Sequence, residues 1–523
     1  MADSIMKQMP TGKKGKVYLV GAGPGDPTLI TLKGLNLLGK ADVVVYDYLA
    51  SKKLLDHVPK TAKFIYAGKR GGVKHTHTQS EINQLLVDHA LAGKNVVRLK
   101  GGDPFIFGRG GEEIEVLVEH DIPFEVVPGV TSATAAATYA GVPITHRGYT
   151  SSVAFVTGHE DPTKPNTNIA WDKIATGIGT LVFYMGIKNL PNIVQKLMAN
   201  GRDPKTPVAV VRWASTPIQQ SVVGTLDTIA EVVRTAEIKP PALVVVGEVV
   251  KLRDKINWFE KRPLFGKRIM VTRTREQASD LVASLEELGA EVLERPVISI
   301  QAPDSWEPLD LALADLADYD WVLFTSLNAV KNFFFRLREK GGDSRTLGRA
   351  RIGVVGRATA EALLDYGIVA DLVPEEFTGE GLAASLVAQG IRGKKVLIPR
   401  ALKAREILPR SLEEAGAAVT VVPVYQNVRP VGYEEQLRQD LRDEEVDVIT
   451  FTSSSTVSNF LHMLNARDAD ELHALTKDIV IAAIGPITGK TIRDNGLQVH
   501  IQPASHTIPA LVDSILAHFS TNR

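Results

Sequence analysis

Three glycine-rich loops each follow an apolar stretch that predicts a β-strand. The first lies in VYLVGAGPGDP (17–27), the second in RLKGGDPFIFGRGGEE (98–113) and the third in VVPGVTSATAAATYAGVPITHR (126–147). Backbone without side chains lets N–H groups approach a ligand closely. Because the carboxyl ends of parallel strands meet at one edge of a sheet, these loops predict one cleft that binds a small ligand.

The first loop is also compatible with a dinucleotide. Gly21 and Gly23 match the start of a GxGxxG fingerprint, and Asp47 follows about twenty residues on. An NAD(P)-dependent oxidoreductase is therefore the main alternative for the first half of the chain. The sixth position of the fingerprint, however, is Asp26. Glycine at this position permits close helix packing, whereas a carboxylate would repel a pyrophosphate.

Several cations stand in or beside these loops. Arginine binds a carboxylate through two parallel hydrogen bonds, so the grouping matters more than any single residue. His75 and His77 have no third candidate ligand near them in sequence, so we predict no metal site. The cations are Arg98, Lys100, Arg109 and Arg147, with Lys69 and Arg70 in the AGKR motif.

Apolar β-branched runs alternate with longer amphipathic stretches along the chain, which predicts α/β domains with parallel sheets covered by helices. Examples of such runs are KVYLVGAG, ADVVVYD, RIMVTR, WVLFTS and RIGVVG. The charged segment 251–267 interrupts this alternation and carries Pro263. We therefore predict a disordered N-terminus over 1–15, a first region over 16–255, a linker over 256–265 and a second region over 266–523.

The second region contains an internal repeat. Residues 266–300 match 393–427, and at the same offset LFTSLNAVKNFF (323–334) matches TFTSSSTVSNFL (450–461). After a two-residue shift, IGVVGRATAEALLDYGI (352–368) matches IAAIGPITGKTIRDNGL (481–497). Three matches in the same order predict two similar α/β lobes with a cleft between them.

The bulk composition excludes several classes of protein. The chain has 523 residues with 60 basic and 60 acidic side chains, so it lacks the basic excess of a dedicated nucleic-acid-binding protein. It has no cysteine, which excludes disulfides, thiolate nucleophiles and Cys-ligated metal centres. We find neither a secretory signal nor an apolar run long enough to span a membrane, and therefore expect a cytoplasmic protein.

Motifs of the first region occur in the order and spacing of uroporphyrinogen-III C-methyltransferases, which use S-adenosylmethionine (SAM). They are GAGPGDP, VVVYDYL, AGKR, RLKGGDPFIFGRGGEE, PGVTSA, GVPITHR, TGH and YMG. The region therefore resembles the tetrapyrrole methylase family. The resemblance implies two α/β lobes, about 16–135 and 145–255, with SAM bound between them. It also implies double methylation of uroporphyrinogen III to precorrin-2, which leads to siroheme or to cobalamin.

Methyl transfer requires the sulfonium methyl group in line with a pyrrole carbon, in a site that excludes water. The product then loses a proton, which a positioned base can accept. The resemblance implies that Asp47 is this base and that Lys69 is a proton donor. The alternatives are a helix N-cap for Asp47 and a solvated or carboxylate-binding cation for Lys69.

The resemblance also implies which residues contact SAM, mostly through backbone or apolar atoms. Asp103 differs because its carboxylate can accept hydrogen bonds from the cofactor, and Met185 has core packing as an alternative. Uroporphyrinogen carries eight carboxylates, so Arg98, Arg109 and Arg147 are predicted to bind it. The SAM-binding positions are Pro24, Gly101, Gly102, Asp103, Ile106, Thr131, Ser132, Met185 and Ala214.

The second region resembles uroporphyrinogen-III synthase in three shorter motifs, VVPVYQN (421–427), ITFTSSSTVSNF (449–460) and AAIGPITGKTIRDNG (482–496). The resemblance implies two flavodoxin-like lobes, the first from 266–299 with 424–523 and the second from 300–423. It also implies cyclisation of hydroxymethylbilane with inversion of the last ring and loss of water, without a cofactor. The alternative is a two-lobed ligand-binding module without activity.

Three residues of this region match positions that the resemblance connects with the reaction. Tyr425 matches a tyrosine proposed to assist departure of the hydroxyl group, with a half-buried strand tyrosine as the alternative. Ser453 and Thr488 match positions that line the cleft, with helix capping as the alternative. Thr488 follows the glycine of a strand-to-helix turn, where helix N–H groups can receive a carboxylate.

The two assignments support each other, because a synthase makes the substrate that the methylase consumes. Both imply tetrapyrrole substrates as the binding partners. Methylases of this fold are commonly dimers, so we also expect a homodimer formed through the first region.

Titration can separate the two ligands considered for the first loop. We expect the intact chain to bind SAM and not NADH, because Asp26 disfavours a pyrophosphate. Isothermal titration calorimetry with each ligand measures this directly. Binding of NADH without binding of SAM would contradict the interpretation of the first region.

Overall fold

The computed structural model of the protein describes residues 14–68, 77–159, 167–273, 275–430, 432–443 and 446–520. Lys69, Arg70 and His75, with nearly all of the predicted disordered segment, lie outside these residues. The chain divides into two compact units; residues up to Lys267 make most of the first, and Val292–His518 make most of the second. Within the described ranges, no helix is long and apolar enough to cross a membrane.

The first lobe of the first unit is a parallel sheet with helices. Its strands are β1 (Val17–Gly21), β2 (Val43–Tyr46), β3 (Lys63–Tyr66), β4 (Val96–Lys100) and β5 (Phe124–Val127), and its helices are α1 (Leu32–Leu38), α2 (Gln79–Leu91) and α3 (Gly110–Glu119). The strand order is β3-β2-β4-β1-β5, with all neighbours parallel. β4 is buried along its whole length, which suits a central strand covered on both faces.

The second lobe of this unit is a mixed sheet. After helix α4 (Ser132–Ala140), its strands are β6 (Val153–Thr157), β7 (Thr180–Tyr184), β8 (Pro207–Arg212), β9 (Gln220–Thr225) and β10 (Ala242–Val246). The order is β6-β7-β10-β8-β9, and β6 and β7 are the parallel pair. The accompanying helices are α5 (Trp171–Gly177), α6 (Leu190–Ala199), α7 (Ile229–Thr235) and α8 (Arg253–Ile256).

Helix α4 follows β5 of the first lobe but packs on the sheet of the second. Its buried residues Ala133, Ala136 and Ala140 belong to the same core as Val182 and Val245. The alanine-rich sequence of this helix is therefore the surface that joins the two lobes.

Residues 256–265, predicted as a linker, are part of the packed first unit. Leu264 is fully buried, and Glu260 accepts a hydrogen bond from Gln219 Nε2 at 2.7 Å. Glu260 also forms an ion pair with Arg253 in which both side chains are largely buried. Two of the charges that suggested a linker thus form an internal ion pair.

The second unit is built from strands and helices that alternate along the chain. Its strands are β11 (Arg268–Val271), β12 (Glu291–Glu294), β13 (Ser299–Gln301), β14 (Trp321–Phe324), β15 (Arg351–Val354), β16 (Lys395–Ala401), β17 (Ala418–Val428), β18 (Val448–Phe451) and β19 (Val480–Ala483). Its helices are α9 (Arg275–Glu287), α10 (Glu307–Ala314), α11 (Leu327–Glu339), α12 (Arg357–Leu364), α13 (Gly379–Ala388), α14 (Ile407–Glu414), α15 (Glu434–Arg442), α16 (Ser454–Leu464), α17 (Ala469–Thr476), α18 (Pro486–Asp494) and α19 (Ile508–Ser520).

The internal repeat is also a repeat of topology. One sheet has the order β12-β11-β18-β19, and the other has the order β17-β16-β14-β15 with β13 added at its edge. The sequence matches pair β11 with β16, β12 with β17, β18 with β14 and β19 with β15, so both orders are the same. Parallel bridges from Ala482 to Ile501 and from Gly353 to Leu372 extend both sheets equally. This is the strand order of flavodoxin-like folds.

The boundary between these lobes differs slightly from the prediction. β17 continues to Val428 and pairs with β13 in antiparallel register, from Ser299 opposite Val428 to Gln301 opposite Gln426. The second of the two sheets therefore extends beyond residue 423, because pairing with β13 prolongs its edge strand.

Candidate active sites

The three glycine-rich loops of the first unit meet as predicted, because they follow the adjacent strands β4, β1 and β5. Gly23 and Gly102 exchange two backbone hydrogen bonds, of 2.7 and 3.3 Å. The third loop joins them where Gly129 N donates to Asp103 Oδ2 at 3.0 Å. The other oxygen of Asp103 accepts from Phe105 N at 2.8 Å, so this carboxylate orders the loops themselves.

Some loop glycines serve contacts between loops rather than the approach of a ligand, which corrects the interpretation made from sequence. A Cβ atom at Gly129 would lie 2.3 Å from Gly102 O, and one at Gly21 would lie 2.5 Å from Gly129 N. Gly102 differs, because it has a φ of +68° and the nearest atom to an added Cβ is Ser132 N at 3.7 Å. Space beside the backbone therefore remains at Gly102.

Asp26 has a local role that a dinucleotide fingerprint does not provide. Its Oδ1 accepts from Thr28 N at 2.8 Å and caps a short 3-10 turn, and helix α1 begins only at Leu32. Asp26 N also donates to Ser215 Oγ, from the second lobe, at 3.2 Å. The first loop thus contacts the other lobe instead of leading directly into a phosphate-binding helix.

Tyr184, the last residue of β7, ties the second lobe to the first. Its hydroxyl oxygen lies 2.6 Å from Thr131 Oγ1 and accepts from Ala133 N at 3.2 Å. The centroid of the Phe107 ring lies 4.7 Å from that of Tyr184. Met185 follows directly, so the loops of the first lobe and the carboxyl end of β7 form two sides of one interlobe cleft.

Strained backbone gathers around this cleft. Non-glycine residues rarely have positive φ, and such strain concentrates at ligand sites. The residues concerned have φ values between 50° and 69° and are Phe107, Arg109, Met185, Trp213 and Ser215.

Large apolar side chains are exposed at the same place. Phe105 is 61% exposed and Met185 is 53% exposed, and Tyr48 packs its ring 5.6 Å from that of Trp213. Open apolar groups beside a few ordered polar ones suit adenosine, a methyl sulfonium and the face of a pyrrole. The predicted SAM positions meet here; Pro24, Gly101, Gly102, Asp103, Ile106, Thr131 and Ser132 lie on the first-lobe loops or the start of α4, and Met185 and Ala214 follow strands of the second lobe.

Asp47 stands at the carboxyl end of β2 and is partly buried. Its Oδ1 accepts from Leu49 N at 3.0 Å, and its Oδ2 accepts from Arg98 Nη2 at 3.3 Å. The carboxylate therefore caps a turn, and no α-helix begins at this point of the described chain. This geometry holds both oxygens in place and leaves Asp47 beside the exposed Tyr48 and Leu49.

Arg98, predicted to bind substrate, is only 4% exposed. Its Nε donates to Glu113 Oε1 at 3.2 Å, and Lys100 Nζ donates to the same oxygen at 2.7 Å. Burial lowers the pKa of the Lys100 ammonium, and the nearby positive charge of Arg98 lowers it further, while Glu113 opposes both effects. Both cations therefore lie beneath the cleft surface, so direct contact of Arg98 with substrate is not supported.

The other predicted cations differ in their surroundings. Arg109 begins α3 and is exposed, and its guanidinium pairs with Glu112 on the same helix. Arg147 is exposed in the turn between His146 and Thr150. Among the described residues, no group of three His, Asp or Glu side chains could hold a metal ion.

In the second unit, Tyr425 lies on β17 beside the carboxyl end of β16. It is 7% exposed, and its hydroxyl lies 3.2 Å from Ser326 Oγ. Burial raises the pKa of the Tyr425 phenol, and the hydrogen bond with Ser326 partly opposes this. A phenol that stays protonated can donate a proton to a departing hydroxyl group.

Ser453 and Thr488 lie together at the carboxyl edge of the other sheet. Ser453 caps α16 by accepting a hydrogen bond from Thr456 N at 3.3 Å, so it has the helix-capping role that was the alternative to lining the cleft. Thr488 is 5% exposed in the first turn of α18, whose N-cap is Gly485 and not a side chain. The two helices touch where Thr491 Oγ1 donates to Ser454 Oγ at 2.8 Å.

Sequence reasoning did not single out several residues that the structure brings to these sites. Ser326 could have been found, since the repeat aligns it with Ser453. Tyr184 stands in the YMG motif but looked like an ordinary strand residue. Glu113 ends the motif RLKGGDPFIFGRGGEE but looked like an exposed helix residue, and Trp213 gave no signal, because burial of charge and positive φ depend on the tertiary structure.

Comparison with known proteins gives the same division of the chain. The family described as "Tetrapyrrole (Corrin/Porphyrin) Methylases" matches residues 16–230, and the family described as "Uroporphyrinogen-III synthase HemD" matches residues 279–513. Both units therefore belong to enzyme families of tetrapyrrole biosynthesis.

One relative covers both units. It is the "Porphyrin biosynthesis protein HemD" of Ruminiclostridium josui, 39% identical over 96% of this chain and 98% of the relative. The chain thus belongs to the family in which a tetrapyrrole methylase is joined to a uroporphyrinogen-III synthase.

Two shorter proteins match the first unit. The "S-adenosyl-L-methionine-dependent uroporphyrinogen III methyltransferase" of Methanosarcina barkeri is 53% identical over 47% of this chain and 95% of its own. A crystal structure of "Uroporphyrin-III C-methyl transferase" from Thermus thermophilus, complexed with S-adenyl homocysteine, is 44% identical over 46% of this chain and all of that chain, with a TM-score of 0.39.

Contact between the loops predicts a matched pair of glycine variants. Gly129→Ala should lower the stability of the first unit by about 1–3 kcal/mol and weaken SAM binding, because its Cβ would collide with Gly102. Gly111→Ala is the control, since nothing lies within 4 Å of its added Cβ and alanine favours helix α3. Calorimetric unfolding and SAM titration measure both effects. Equal SAM affinity in both variants would contradict this account of the loops.

Proposed function

We propose that the first unit transfers methyl groups from SAM to uroporphyrinogen III and forms precorrin-2. The observation that carries the proposal is the meeting of three loops with the carboxyl end of β7, next to the half-buried carboxylate of Asp47. The name of the Methanosarcina relative supports SAM as the methyl donor.

In this proposal a pyrrole carbon forms a bond to the methyl carbon as the carbon–sulfur bond of SAM breaks, and S-adenosylhomocysteine leaves. The proton that the product loses passes to Asp47, which Arg98 and Leu49 N hold in position. Phe105, Met185 and Tyr48 exclude water from the reacting atoms. Arg109 and Arg147 are exposed cations that bind substrate carboxylates, and Nε and Nη2 of Arg109 already donate to Glu112.

The proposed role of Asp47 predicts a selective loss of turnover. Asp47→Ala should slow methylation at least about 100-fold, the usual contribution of a general base, while SAM affinity changes little. Asp42→Ala is the control, because Asp42 is an exposed carboxylate at the other end of β2. Steady-state assays with uroporphyrinogen III and SAM measure the rates. Unchanged turnover of Asp47→Ala would remove this residue from the mechanism.

We further propose that the second unit converts hydroxymethylbilane to uroporphyrinogen III with loss of water. Folding a flexible polyanion so that the correct carbon attacks is largely a matter of orientation. The protonated phenol of Tyr425, oriented by Ser326, assists departure of the hydroxyl group. N–H groups at the start of α18, beside Thr488, receive a substrate carboxylate.

The intact chain tests the synthase proposal. With hydroxymethylbilane and SAM together it should form precorrin-2, and without SAM it should form the type III isomer of uroporphyrinogen. Tyr425→Phe should slow formation of the type III isomer at least about tenfold. Tyr319→Phe, at the opposite end of β14, should leave it unchanged. If the wild-type chain gave only the spontaneously formed type I isomer, the second unit would be a binding module.

Three expectations from the sequence stay predictions. They are the homodimer through the first unit, the cytoplasmic location and the absence of a cofactor in the second unit. Lys69 also remains a predicted proton donor, since it lies outside the described residues.

A further inference from the structure

A buried group of charges lies directly behind Asp47, and Arg98 is the one residue of this group that the proposed mechanism uses. Arg98 and Lys100 project from β4, and both donate to Glu113 Oε1. Gln79 Nε2 donates to the same oxygen at 3.2 Å. Glu113 itself is 0% exposed, and its Oε2 accepts no hydrogen bond from any residue that the structure describes.

Arg98 connects this group with the cleft. Its Nη1 donates to the carbonyl oxygens of Val45 at 3.4 Å and Leu99 at 3.1 Å, and its Nε donates to Glu113. Nη2 donates to Asp47 at 3.3 Å. Since Glu113 and two carbonyl groups fix the rest of the guanidinium, Arg98 can present only this one nitrogen to Asp47.

The charges are also balanced. Two buried cations, Arg98 and Lys100, face one buried anion, Glu113, and one partly buried anion, Asp47. Charges interact strongly where water is excluded, and a nearby cation makes a carboxylate a weaker base. Without Glu113, both cations would act more strongly on Asp47, with Glu112 on α3 still facing Lys100.

We infer that Glu113 is a positioning residue for methylation, which acts on Asp47 through Arg98. It fixes the guanidinium that orients Asp47, and it offsets the positive charge of Arg98 and Lys100 behind that carboxylate. The inference rests on the proposed function of the first unit, because it requires Asp47 to be the base.

The test uses the intact chain, with single-turnover methylation of uroporphyrinogen III for the rate and steady-state assays for the KM. Glu113→Gln keeps the shape and one acceptor oxygen but removes the charge. The rate should fall about tenfold or more, while SAM affinity and the KM for uroporphyrinogen III stay within about twofold. Glu115→Gln, on the exposed face of α3, is the control and should match the wild type.

A second variant separates the charge effect from a loss of structure. Glu113→Gln combined with Lys100→Met removes one anion and one cation, so the charge facing Asp47 is again balanced. The rate of this double variant should recover to within about threefold of the wild type. If Glu113→Gln alone fails to fold, the rate of the double variant still tests whether Glu113 acts by balancing charge.

Each of three results would overturn the inference. They are a wild-type rate in Glu113→Gln, a loss of SAM affinity that parallels its loss of rate, and a double variant as slow as the single one. Failure of the wild-type chain to methylate would instead refute the proposed function. Full activity of Asp47→Ala would refute the role of Asp47 as the base.

Discussion

Close approach of backbone to backbone is the constraint on which the methylase unit depends. Gly21, Gly102 and Gly129 stand at the ends of three neighbouring strands, and a Cβ atom at Gly21 or Gly129 would collide with the other loops. Because the loops interlock through main-chain atoms, their positions depend little on side-chain conformation. Asp103 then accepts one hydrogen bond from Gly129 in the third loop and one from Phe105 in its own loop, so the edge of the sheet is preorganised for a ligand.

The second lobe completes that surface with residues of positive φ, which are Met185, Trp213 and Ser215. Two hydrogen bonds join the lobes across the cleft. One links the hydroxyl groups of Tyr184 and Thr131, and in the other Asp26 N donates to Ser215 Oγ. Strained backbone persists only where the surrounding structure imposes it. The alanine-rich helix α4, which starts at the loops and packs on the opposite sheet, provides such a support.

Much of this could be predicted from sequence, because strands, glycine loops and repeats leave local patterns. The order β4-β1-β5 brought the three loops together as expected, and the repeat matched the two sheets strand by strand. The predictions that the structure does not support concern features that depend on tertiary contacts. Arg98 looked like a substrate ligand because a sequence does not show that a cation is buried against Glu113. Residues 256–265 looked like a linker because charge suggests solvent, whereas Glu260 is paired internally.

One lobe of the second unit is built from two segments that are far apart in sequence. Arg268 N on β11 donates to Asp447, which lies 179 residues further along the chain. During synthesis, the sheet that contains β14 to β17 is complete while β11 still awaits its neighbour β18. Long-range pairing of this kind forms late and slowly, and an unpaired apolar strand invites aggregation. The lobe that is finished first can therefore fold as the chain emerges, and the other lobe must close around strands from both ends of the unit.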